Sequence, residues 1–217
     1  MKFIRSISIL ALAAGAMFIT GCANNPMQPY HVTAYKPHDP SRVSVKVSLS
    51  KQNVYVMEGN RCLMAVACTV GKPDHPTPTG NFHIEAKIPN KRSGSYGFTS
   101  SGGPAELDKG QNVAVGYPMA FWCEFAPAFG FHQGFVWTVP HTHGCIRMHK
   151  LAAPRFYELV RIGTPVNIAR TQPEDETLGK SVQRIDQSGD PDPATSFLMS
   201  PRVFEKPPGP LLVDQPQ

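Results

Sequence analysis

The run from His132 to His149 reads His-Gln-Gly-Phe-Val-Trp-Thr-Val-Pro-His-Thr-His-Gly-Cys-Ile-Arg-Met-His. It gathers one cysteine, four histidines, an arginine and two glycines among apolar neighbours, and nowhere else in the chain is polar chemistry so concentrated. A cysteine is a strong nucleophile only as its thiolate, and a nearby imidazole that takes the proton is the usual means of supplying one. Cys145 has two such neighbours: His143, two residues before it, and His132, thirteen before it and within reach through a hairpin or loop. Gly144 leaves the backbone beside the nucleophile open, so the Gly144 and Cys145 amides are expected to meet a developing oxyanion. In an extended stretch, residues two apart share a face, which would turn His143, Cys145 and Arg147 the same way. The same spacing would also offer a metal the side chains of His141, His143, Cys145 and His149. Gly144 and Arg147 have a use in acyl transfer and none in a metal site, so acyl transfer is the expectation.

The run Thr142-His143-Gly144-Cys145-Ile146-Arg147-Met148 resembles the Ser/Thr-His-Gly-Cys-hydrophobic-Arg signature of the L,D-transpeptidase (YkuD-type) family of peptidoglycan enzymes. Gly130-Phe131-His132-Gln133-Gly134 is similar to that family's segment carrying the catalytic histidine. Thr69-Val70-Gly71-Lys72-Pro73 and Thr77-Pro78-Thr79-Gly80-Asn81-Phe82 resemble its upstream strand and turn, in the family's order. Nine residues separate His132 from Thr142, fewer than the family usually has, which points to an altered substrate lip there. The resemblance implies a mainly β, sandwich- or barrel-like domain with one short helix after the catalytic motif. It implies Cys145 as nucleophile and His132 as base, with the backbone carbonyl of Gln133 as third member and Gly144, Gln133 and His143 supporting the site. Arg147 and Thr142 are expected to hold a substrate group, or else to bond structurally at the strand end. The implied substrates are tetrapeptide stems of peptidoglycan, attacked at the third residue with loss of the terminal D-alanine. An amine then resolves the thioester to give a cross-link between third residues or another attachment. A carbapenem is expected to acylate Cys145, and no metal or organic cofactor is implied. Two alternatives share the fold: a hydrolase with water as acceptor, and a non-catalytic wall-binding lipoprotein, which the presence of both Cys145 and His132 argues against.

Outward from this centre, residues 1–21 read as a lipoprotein signal peptide. Lys2 and Arg5 precede an apolar run from Ile7 to Ile19, too short to span a membrane comfortably, and Ile19-Thr20-Gly21-Cys22 closes it. The ending resembles a bacterial lipobox. It implies lipid on Cys22, a membrane partner and a place on the periplasmic face of the outer membrane. Residues 22–42 are proline-rich and aperiodic, as in an extended tether. The domain itself is expected over 43–170. Val43, Val45, Val47 and Leu49 alternate as a first strand, Val54–Met57 and Cys62–Val70 follow as two more, and Phe82, Ile84 and Ala86 give a fourth. Pro73, Pro76 and Pro78 stiffen the loop from Gly71 to Gly80. Residues 89–111 read as a long irregular excursion, where Tyr96 or Phe98 would meet substrate, and Val113–Gly116 and Ala120–Phe125 as short strands. Ala153–Arg161 carries helical spacing, with Pro154 in its first turn and Gly163 past its end. Phe135, Trp137 and Val139 alternate in the crossover as a candidate apolar lip.

The tail, 171–217, holds eight prolines and is expected to be mostly disordered, with Phe197–Met199 and Pro210–Leu212 as small apolar islands. Charge divides the same way: Lys and Arg outnumber Asp and Glu by 13 to 7 over residues 43–170, and are outnumbered 4 to 8 beyond them. The basic residues are scattered without a nucleic-acid motif, so no nucleic-acid partner is expected and an anionic wall polymer suits the basic body better. Cys62, Cys68 and Cys123 read as free thiols, since the first two lie too far apart along one strand to bond.

Overall fold

In the computed structural model, which describes residues 29–216, the first alternating stretch becomes β1 (Val43–Ser48) with Val43, Val45 and Val47 inside. The signal-peptide reading of 1–21 and the lipidation candidate Cys22 lie outside the described residues. β2 (Asn53–Glu58) follows antiparallel to β1, and β3 (Arg61–Thr69) antiparallel to β2. Then come β4 (Gly80–His83), β5 (Ala86–Phe98), β6 (Pro104–Glu106), β7 (Val115–Ala126), β8 (Phe129–Gln133) and β9 (Ile146–Met148). Helix α1 (Ala153–Leu159) leads into β10 (Pro165–Ala169), and a short helix α2 (Thr195–Met199) lies in the tail.

Together the strands form one ten-stranded sheet in the order β4-β10-β1-β2-β3-β9-β8-β7-β5-β6. It coils so far that Phe82 of β4 meets Phe125 of β7 edge-on, ring centres 5.4 Å apart. The mainly β, barrel-like sandwich with one short helix after the motif is thus the observed architecture. Val45, Val47, Val54, Val56, Phe125, Phe131 and Phe156 share its principal core. Pro154 sits in the first turn of α1, and Phe156 lies 4.5 Å from Phe131, so the helix presses on β8 from within. The helix stops at Leu159, two residues earlier than its spacing suggested.

Three expectations are overturned. The excursion at 89–111 is half strand: β5 runs thirteen residues and pairs with β7, which joins both expected short strands into one. Gly97 and its β7 partner Gly116 serve close backbone approach, since a Cβ on Gly97 would fall 2.2 Å from the Val115 carbonyl oxygen and one on Gly116 2.0 Å from that of Ser93. Phe98 is buried against Leu198 and Val203 rather than exposed at a cleft.

The tail is ordered. Every residue of β2 is buried, because its outer face is covered by the tail: Tyr55 and Met57 pack with Val182. Asp175 accepts the hydroxyls of Tyr55 (2.8 Å) and Ser48 (2.7 Å), and Gln172 donates to the Val47 carbonyl at 3.1 Å. Low hydrophobicity argues for disorder only when polar groups have nothing better than water, and here the strands supply partners.

The later part of the expected tether is docked as well. Tyr35 N–H donates to the Leu63 carbonyl, Lys36 N–H to that of Val213 and Val213 N–H to that of Ala34, each at 2.9 Å. Leader and tail thereby clasp one another over β3.

Candidate active site

His132 lies on β8, and Cys145 immediately precedes β9. The two strands are parallel, with Phe131 opposite Ile146 and His132 opposite Arg147. Parallel neighbours need a crossover of about a dozen residues. The stretch from Gly134 to Cys145 meets that minimum, so the short His132–Thr142 spacing is just enough to set the two side by side.

The imidazole of His132 is buried, and its Nδ1 lies 2.8 Å from the Gln133 carbonyl oxygen. A carbonyl only accepts, so Nδ1 carries the proton and Nε2 is left as the basic nitrogen. Burial depresses its pKa to about 4, with the Arg147 charge adding to the effect and the Gln133 bond opposing it. Trp122 lies across this face with its ring centre 6.0 Å from that of His132. Gly130 admits the indole, because a Cβ there would stand 2.7 Å from it.

Cys145 is half-buried, its Sγ 3.8 Å from the Ala128 carbonyl oxygen. Burial pushes the thiol pKa up, and the Gly130 amide and the Arg147 charge pull it down without cancelling the rise. Arg147 runs over Gly134, whose Cβ would fall 2.3 Å from the arginine Cδ. Its guanidinium has no hydrogen bond or ion pair among the described residues, although burial lowers its pKa and Tyr117 and Cys145 stand close enough to raise it. A largely enclosed cation without a counter-charge is costly in isolation and suits an anionic group brought by a ligand.

The Cys145 loop is braced from two sides. Thr142 Oγ1 donates to the Cys145 carbonyl at 2.6 Å and accepts the Gly144 amide at 3.1 Å. Thr77 Oγ1 donates to the Gly144 carbonyl at 2.8 Å and accepts the Gly71 amide at 2.9 Å. Gly144 has φ +105°, and a Cβ on it would stand 2.4 Å from the Phe129 ring, so only glycine fits.

Several expected roles change with this geometry. The Gly144 amide is engaged by Thr142 and is therefore no free oxyanion donor; the residue's part is conformational. Thr142 is buried, with its hydroxyl committed to the loop that carries Cys145. The left-handed backbone at Gly144 breaks the extended run between His143 and Cys145, while Arg147 stays within electrostatic reach of both. His143 instead stacks on Tyr96 with ring centres 5.3 Å apart and meets His75 edge-on at 4.8 Å.

The metal alternative fails on the same facts. His141 stacks on Trp137, and His149 Nδ1 accepts the Leu151 amide at 3.1 Å. Among the described residues, no three His, Cys, Asp or Glu side chains converge as a metal site. Nor is the lip a regular alternation: Val136 is the buried residue, and Val139 is 55% exposed. Cys62, Cys68 and Cys123 are free thiols, with β9 and β8 standing between the strands of Cys68 and Cys123.

Thr77, Gly130, Gly134 and Trp122 have parts in the site that the sequence did not reveal. Thr77 stood within a quoted motif, but its partner lies sixty-seven residues away and no local pattern announces it.

Comparison with known proteins places this geometry in context. A family profile described as the L,D-transpeptidase catalytic domain, YkuD, matches residues 42–168. L,D-transpeptidase 1 of Mycobacterium tuberculosis (strain ATCC 25618 / H37Rv) is 25% identical over 126 residues, covering 56% of this chain and 48% of that protein. The chain therefore spans about half the length of the curated relatives it matches. Among solved structures, the L,D-transpeptidase from Mycobacterium smegmatis superposes with a TM-score of 0.48 at 20% identity, over 59% of this chain and 58% of that one. The LD transpeptidase LdtMt1 in complex with imipenem gives 0.46 at 21% identity, over 59% of each chain.

Proposed function

Because the chain belongs to the L,D-transpeptidase (YkuD) catalytic-domain family, we propose that Cys145 carries the acyl group of a peptidoglycan tetrapeptide stem and passes it to an amine. His132 Nε2 takes the thiol proton as sulfur attacks the carbonyl carbon of the stem's third residue. The Cys145 amide stabilises the oxyanion, the C–N bond breaks, and His132 returns its proton to the departing D-alanine nitrogen. An amine then attacks the thioester, His132 accepts its proton, and the sulfur leaves and is reprotonated. The observation that carries this reading is the 2.8 Å contact between Nδ1 and the Gln133 carbonyl, which leaves a neutral imidazole with its basic nitrogen free, on the strand that pairs with the one Cys145 leads into. The unpaired Arg147 guanidinium supports a substrate carboxylate close to the reacting sulfur.

The setting belongs to the same proposal: cleavage after Gly21, lipid on Cys22 and a catalytic domain at the periplasmic face of the outer membrane. In a soluble assay with tetrapeptide muropeptides, mass spectrometry is expected to find D-alanine release and dimers linked between third residues. Cys145→Ala abolishes both, and a carbapenem adds its mass to the wild type alone. D-alanine release by Cys145→Ala overturns the assignment, and tripeptides as sole product, even with added amine, make the enzyme a hydrolase.

A further inference from the structure

Beyond the matched residues 42–168, the tail builds one wall of a cavity of about 400 Å³ next to the site. The domain side is formed by Gln133 and Gly134, directly after the catalytic histidine, and by Tyr117; the tail side is formed by Pro191, Phe197 and Leu198. Gly134 belongs to both places, since the Arg147 side chain runs over its Cα. Tyr117 likewise lies within electrostatic reach of Arg147 and of Asp192 in the tail. The wall is firmly held. Arg92 of β5 donates to the carbonyls of Leu198, Met199 and Ser200 at 3.0–3.1 Å, and its guanidinium lies 4.9 Å from the Phe204 ring centre.

Three features therefore follow one another: a thiol that carries an acyl group, an unpaired cation and an apolar cavity. We infer that residues 187–203 complete a specificity pocket for the amine acceptor. That acceptor is an amino-acid end whose carboxylate meets Arg147 while its amine faces the Cys145 thioester and its aliphatic chain enters the cavity. This rests on the reading of Cys145 as an acyl carrier. The amine forms the new amide bond as the C–S bond breaks, so the pocket needs no further reactant. Leu198 and Phe197 are specificity-determining, and Arg92 is a positioning residue that acts through the tail.

The test is a competition on the full chain between glycine and norleucine, each enantiomer separately, as acceptors for a tetrapeptide donor. The two differ by a four-carbon chain, so the wild type is expected to favour norleucine by at least about tenfold. Phe197→Ala, at a site 39% exposed and so safe for folding, is expected to reduce that ratio at least threefold by way of the lost wall. Arg92→Ala lowers the ratio through a loosened tail. Because the readout is a ratio, changes in thioester formation cancel. A wild type without preference, or variants with an unchanged ratio, overturn the pocket; so does a variant that speeds both acceptors equally, which would make the tail a cover. Absence of any wild-type thioester overturns the acyl-carrier reading instead. The pocket is then judged by binding to Cys145→Ala protein, where norleucine must bind more tightly than glycine and Phe197→Ala must remove the difference.

Discussion

At His132, burial determines where the protons rest: an imidazole titrating at about 4 is neutral in ordinary buffers, and the raised Cys145 thiol keeps its proton as well. In the proposed mechanism the pair therefore acts as a general base and a thiol, becoming ionic only as sulfur attacks. Two outcomes follow for pH. Activity falls as the medium is acidified through about 4, where His132 Nε2 becomes protonated. Alkylation of Cys145 by iodoacetamide keeps accelerating beyond the ordinary thiol pKa, whereas a plateau near neutrality would reveal a resting thiolate–imidazolium pair. His132→Ala is expected to cost roughly 10²- to 10⁴-fold in kcat. His143→Ala, whose ring is spent on Tyr96 and His75, costs less, and the reverse order of severity would make His143 the base. Thr77→Val leaves the buried Gly144 carbonyl without its donor and is expected to lower unfolding stability by about 1–3 kcal/mol in denaturant titration. The placing of Cys145 and His132 on neighbouring strands was legible because both lie in one short stretch rich in polar groups. The use of the Gly144 amide was not, since Thr142 claims it only once the loop has closed.

At the level of elements, the site is the meeting of two parallel strands, and its accuracy depends on what lies across them. Gly134→Ala would drive a methyl into the first carbons of the Arg147 side chain, where little can yield. We expect a loss of about 1–3 kcal/mol in stability and a fall in kcat/KM as the guanidinium is displaced; a variant with wild-type kinetics would separate Arg147 from substrate. β1 could be read from sequence because its apolar alternation records its buried face, and β2 and β3 because apolar runs there are separated by turn residues. β5 left no such record: most of it is half-buried without alternation, its pairing with β7 shifts register between Arg92 and Gly97, and Gly97 marks a close contact rather than a turn. The tail was missed for a related reason. Its order is held by side-chain bonds to β1 and β2 and by Arg92, all long-range, whereas composition averages over a segment without seeing its partners.

For the molecule as a whole, two buried histidines tie stability to pH. His132 and His149 both titrate at about 4 in the folded protein, through burial first, against about 6.5 when unfolded. The unfolded chain thus takes up protons first, and stability present above pH 6.5 erodes as pH falls towards 4, by at most roughly 3 kcal/mol per histidine. His149→Gln is expected to flatten the fall of Tm over that interval in differential scanning calorimetry; an unchanged slope would clear His149. Lower still, burial raises the Glu58 carboxyl, but the Asp39 and His38 amides and Arg61 outweigh it and hold its pKa at about 2. Its contribution persists above the unfolded value and disappears as pH falls towards 2, loosening the leader that it pins. That leader and the tail meet at Tyr35 and Val213, a single bridge between two segments running in the same direction. A pull applied upstream of residue 29 would load those bonds lengthwise, all at once, rather than opening them in turn like a zip. The clasp is then a strain relief, as on an electrical cable: tension spends itself at the collar of the domain before it reaches β1, and the thiol is spared the tug.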